Sequence, residues 1–105
     1  MTLGDNKFML TKNDIVTAMQ DNMGEIKKYG VKKIGIFGSA ARSTQTSDSD
    51  IDILVEFQKG KKGFDNYMEL KFFLEKLLRQ RVDLVIQDAL KIRIKDSILK
   101  EVSYA

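Results

Sequence analysis

The chain has 105 residues, 43% of them hydrophobic, which is enough for one core and too little for a catalytic domain beside a separate substrate domain. It contains no cysteine and no histidine, so disulfides, Cys/His zinc sites, thiol nucleophiles and imidazole acid–base chemistry are all excluded, and any catalysis falls to carboxylates and a metal. Eighteen basic residues against fifteen acidic ones give a net charge of +3, too mild a balance to suggest a nucleic-acid partner. The apolar runs are shorter than a membrane span and no apolar export segment follows the N-terminus, so a cytoplasmic protein without a membrane partner is expected.

Residues 1–10 show no period and are expected to form an arm, with one domain from 11 to 105. Residues 11–13 offer capping side chains. The apolar stripe Ile15, Val16, Met19, Met23 and Ile26 then predicts a helix that stops at Gly30. Val31–Phe37 is a β-branched run, and residues 39–42 are small enough to start a short helix after Gly38. The polar stretch 43–49 reads as a loop into a second strand, Ile51–Phe57. Residues 59–63, three lysines and two glycines, form an exposed connection. From 65 to 79 the residues Tyr67, Leu70, Phe73, Leu74, Leu77 and Leu78 give a stripe wide enough to lie on a sheet. A third strand follows over 81–86. A last helix from Asp88 or Ala89 is expected to bury Leu90, Ile94, Ile98 and Val102. Helices alternating with strands predict an α/β (α+β) layer: a small mixed sheet of three or more strands with about four helices. The strand order is not readable from periodicity.

The chemistry concentrates in Ser49-Asp50-Ile51-Asp52-Ile53. On a strand, Asp50 and Asp52 would project from one face while Ile51, Ile53, Val55 and Phe57 fill the other. Carboxylates about 4 Å apart repel by about 4 kcal/mol at an effective dielectric near 20, a cost that a divalent cation removes. Asp83 interrupts the apolar third strand. Alone it would also suit an exposed edge position. Together the three carboxylates are an oxygen-rich set suited to one or two Mg²⁺ ions. Gly38-Ser39, at a strand-to-helix junction, offers close backbone approach, N–H donors and a hydroxyl to a phosphate. Arg42, one turn on, could reach phosphate or brace the acidic strand.

Gly38-Ser39-Ala40-Ala41-Arg42, the polar loop and Ser49-Asp50-Ile51-Asp52-Ile53-Leu54-Val55, followed by Arg81-Val82-Asp83-Leu84-Val85, resemble the signature of the minimal nucleotidyltransferases of the DNA polymerase β superfamily. The resemblance runs from Val31 to the C-terminus. Ser43 departs from it, because the family commonly has glycine after the arginine. The resemblance implies transfer of AMP from ATP, or of another NMP from its NTP, to a hydroxyl. Asp50, Asp52 and Asp83 would act as metal-holding catalytic carboxylates, and Gly38, Ser39 and Arg42 would serve the nucleotide. Two Mg²⁺ ions are implied when nucleotide is bound. Short stand-alone members act as antitoxins beside a helical HEPN-domain toxin, so a hetero-oligomer with such a toxin is implied, its tyrosine being the acceptor. The alternative is a non-catalytic module that neutralises a toxin by covering it.

Overall fold

The computed structural model describes residues 10–44 and 49–105. The expected arm, apart from Leu10, and residues 45–48 of the polar loop lie outside the described residues. The first helix opens on a capping box: the Asp14 N–H donates to Thr11 Oγ1 (3.0 Å) and the Thr11 N–H to Asp14 Oδ2 (2.9 Å). The expected single helix is two, α1 (Lys12–Asp21) and α2 (Met23–Lys27). Asn22 makes the break, because its backbone N–H closes onto Met19 O while its side-chain amide donates to Ala18 O at 2.8 Å. The apolar stripe continues across the interruption, so Ile15, Met19 and Ile26 are all fully buried.

The strands β1 (Val31–Phe37), β2 (Ile51–Phe57) and β3 (Val82–Ile86) fall where the β-branched runs place them. A fourth, β4 (Ser103–Tyr104), completes a mixed sheet in the order β3-β2-β1-β4. β1 runs antiparallel to β2 and β4, whereas β2 and β3 are parallel. A parallel pair needs a crossover, and α4 (Phe64–Leu78) supplies it. Its buried Leu70, Leu74 and Leu78 lie against Ile36, Ile53 and Val55 in one core cluster. Two polar ties fix α4 to β3: Glu75 Oε2 accepts the Val82 N–H at 2.9 Å, and the Tyr67 hydroxyl donates to Leu84 O at 2.7 Å. The period of two holds along β2. Ile51, Ile53, Val55 and Phe57 are in the core cluster, while Asp52 and Glu56 are half-buried on the opposite face.

The remaining helices are α3 (Gly38–Arg42) and α5 (Ile92–Glu101), the latter after a 3-10 turn at Gln87–Ala89. The burial expected for α5 is only partly met. Leu90, Ile98 and Val102 are half-buried, but Ile94 is 51% and Ile92 79% exposed. Beyond α5 the chain returns as β4, pairing Tyr104 with Gly35 and Ser103 with Ile36. Gly35 permits this approach, since a Cβ there would stand 2.6 Å from Ser103 O and 2.9 Å from Tyr104 Cα. Among the described residues, no helix is long and apolar enough to cross a membrane.

Candidate active site

One row of the sheet carries the chemistry. Phe37 stands opposite Asp52, and Asp52 opposite Asp83. Side chains directly opposite on neighbouring strands share a face, so β2 and β3 bring these two carboxyls together, and the pair is hydrogen-bonded. Partial burial, and then the nearby Asp83 and Asp50, push the Asp52 carboxyl from its ordinary 3.8 up to about 6, against the opposing pull of Arg42. Two carboxylates this close share a proton or a cation.

Asp50 is placed differently from the expectation that it would point alongside Asp52. It precedes β2 by one residue, and its Oδ1 lies 3.1 Å from Arg81 Nε. Because Asp50 turns toward Arg81, no three carboxylates among the described residues are gathered into a metal-holding group. Both partners of that ion pair are substantially exposed, and such pairs are worth about 0–1 kcal/mol. A divalent ion can therefore draw Asp50 toward the charge it already influences at Asp52. An all-oxygen donor set whose carboxylates repel one another fits a hard divalent cation.

The turn at the end of β1 closes over this pair. Gly38 takes φ +69°, and a Cβ on it would fall onto the Asp52 carboxylate. Glycine is thus required twice, by the backbone conformation and by the close approach. From Gly38 the five-residue α3 carries Ser39, half-buried, and ends at Arg42. Ser43 then adopts φ 61°, the left-handed conformation that suits the glycine common in the resembled family. The Ser39 carbonyl accepts the Thr44 N–H at 2.9 Å and holds the start of the loop.

One residue that the sequence reading did not single out belongs here. Glu101, the last residue of α5, accepts the Gly38 N–H through Oε2 at 3.0 Å and the Arg42 guanidinium through Oε1 at 2.8 Å. The Gly38 bond, with Arg42 adding to it, holds the Glu101 carboxyl below the usual range. Arg42 is thus tied to Glu101, and its charge also acts on Asp52. No motif marks Glu101. It is a lone acid at the end of an amphipathic helix, 63 residues from its backbone partner. Three surface cavities, of about 310, 370 and 480 Å³, lie elsewhere, and none is lined by Asp50, Asp52 or Asp83.

Comparison with known proteins agrees with this geometry. Residues 19–105 match the family model described as "Nucleotidyltransferase domain". Protein adenylyltransferase MntA of Thermococcus cleftensis is 40% identical over 97 residues, covering 91% of this chain and 97% of that protein. A solved structure assigned as a minimal nucleotidyltransferase superposes with a TM-score of 0.80 at 30% identity, covering 93% of this chain and 98% of the other. A toxin–antitoxin crystal structure with AMP-PNP gives a TM-score of 0.64 at 26% identity, covering 90% of this chain and 72% of that one. A family model spanning this much of the chain, over a fold that sets Asp52 against Asp83 beneath a Gly38 turn, leaves one conclusion: the chain belongs to the nucleotidyltransferase-domain family and is a nucleotidyltransferase.

Proposed function

We propose that this protein transfers AMP from ATP to a tyrosine hydroxyl of a HEPN-domain toxin and acts as that toxin's antitoxin. The observation that carries the reading is the Asp52–Asp83 pair, in register on parallel strands beneath the Gly38 turn, with the Asp52 carboxyl pushed up to about 6. Mg²⁺ held by Asp50, Asp52 and Asp83 would neutralise the carboxylates and make the acceptor hydroxyl more acidic. At the β- and γ-phosphates, Gly38 would allow close approach to the backbone and Ser39 would offer its N–H and hydroxyl, while Arg42, held by Glu101, fixes the end of the same short helix. In the transfer, the acceptor oxygen bonds to the α-phosphorus while the bond from that phosphorus to the bridging oxygen breaks. Pyrophosphate leaves with the electron pair, and the hydroxyl proton passes to Asp83. Histidine is not needed. The likeness to a protein adenylyltransferase and to a toxin–antitoxin structure containing AMP-PNP supports both nucleotide and partner.

The test uses ATP labelled at either the α- or the γ-phosphate, with Mg²⁺ and a purified HEPN-domain toxin. Label from the α-position alone should appear on the toxin, and replacing the acceptor tyrosine by phenylalanine should remove it. Transfer from the γ-position, or no label on a folded toxin, would overturn the reading.

A further inference from the structure

We infer that Glu101 is a positioning residue for nucleotide binding, setting the Gly38–Arg42 segment in its working shape from the far end of the chain. The inference rests on the assignment of Gly38, Ser39 and Arg42 to the nucleotide.

The segment has little means of holding its own shape. A helix of five residues is below the length at which helices persist alone, and Phe37, in the N-cap position, provides no side-chain cap. Its first residue is a glycine at φ +69°, the residue type that loses most conformational freedom on being fixed. Glu101 supplies the missing cap at the first residue and ties the last one to the same carboxylate. Oε2 takes the Gly38 N–H at 3.0 Å, as an N-cap oxygen would, and Oε1 takes Arg42 at 2.8 Å. A rotation of the Phe37–Gly38 peptide would break the first bond, so the contact selects one orientation of the turn above Asp52.

The carboxylate is itself held from both sides. The Val102 N–H closes onto Ile98 O at 3.0 Å, Ser103 and Tyr104 pair with β1, and the Ala105 N–H donates to Ile34 O at 2.9 Å. The strand β1 that receives this segment also leads into Gly38. Glu101 stands two residues before β4 and Gly38 directly follows β1, so the ladder between these neighbouring strands sets their separation. With both oxygens engaged and its charge matched by Arg42, Glu101 acts as part of the wall of the site.

Calorimetric titration of the 105-residue chain with AMP-PNP and Mg²⁺ tests this, using wild type, Glu101→Ala and Glu101→Gln. Loss of two charge-assisted hydrogen bonds should weaken AMP-PNP binding about tenfold in Glu101→Ala. Glu101→Gln keeps an acceptor oxygen for the Gly38 N–H and should recover most of that loss. In turnover the change should appear in the KM for ATP, with kcat moving less. Wild-type affinity in Glu101→Ala, or tighter binding, would overturn the inference while leaving the nucleotide site standing. If Glu101→Ala does not fold, Glu101→Met, which keeps the side-chain volume and removes both acceptor oxygens, takes its place: a loss of about tenfold supports the positioning role, and affinity within about threefold of wild type contradicts it. Failure of the wild type to bind AMP-PNP would remove the nucleotide assignment itself, and this inference with it.

Discussion

Asp52 carries the electrostatic cost of the site, and that cost is measurable without any substrate. Its carboxyl titrates near 6 in the folded chain against 3.8 as the ordinary value, so between those pH values the folded state binds more protons than the unfolded state. Stability without metal should therefore be fully present below about pH 4 and fall as pH rises through about 6. A shift of this size corresponds to about 1.4 kcal/mol per unit. After discounting for solvent screening at a half-exposed group, the loss should be on the order of 1–2 kcal/mol. Asp52→Asn keeps a donor toward Asp83 and removes the charge. In thermal melts with EDTA it should match wild type near pH 4 and exceed it at pH 7.5, and a lower melting temperature at pH 7.5 would contradict the account. Most of the residues of the site were legible from the sequence, because paired acids on a strand and a Gly-Ser turn are local patterns. Glu101 was not. Its role exists only through a contact 63 residues away in the chain, and nothing in its neighbourhood sets it apart from a solvated acid.

At the scale of elements, the three long strands were readable because β-branched residues and a period of two identify strands locally. The break between α1 and α2 was not, because the apolar stripe runs through it and the interruption is made by one asparagine side chain. β4 was missed because two residues carry no period. The over-estimated burial of α5 has a related cause. Periodicity shows that a helix has an apolar face but not what covers it, and Ile92 and Ile94 remain largely exposed. Short-range geometry also predicts stability changes here. Ser43 and Arg79 both hold positive φ, 61° and 56°, at the ends of α3 and α4. Ser43→Gly and Arg79→Gly should each stabilise the fold by about 0.5–1 kcal/mol in denaturant unfolding. A destabilised Ser43→Gly would mean that its side chain makes a contact outweighing the backbone cost.

At the scale of the whole molecule, the mixed α/β class followed from the alternation of elements, while the order β3-β2-β1-β4 depends on long-range pairing that no local pattern encodes. That order gives the site its geometry. It puts β2 beside β3, so that Asp52 meets Asp83, and β4 beside β1, so that the C-terminal segment reaches the Gly38 turn. Gly35 is where the second pairing is most exposed to disruption. Gly35→Ala should force β4 off β1, cost about 1–3 kcal/mol of stability, and raise the KM for ATP through the displaced Glu101. Unchanged melting and an unchanged KM would show that the sheet edge and the site are independent. The central claim is that the strand-borne carboxylates perform nucleotidyl transfer. Its most direct test is the rate at which α-labelled AMP is transferred to the toxin by wild type and by an Asp50→Asn, Asp52→Asn variant of matched circular dichroism, with toxin neutralisation followed in parallel. The variant should lose transfer by about a thousandfold, roughly 4 kcal/mol of transition-state stabilisation, and leave the toxin active. Transfer at the wild-type rate, or full neutralisation without label, would contradict it.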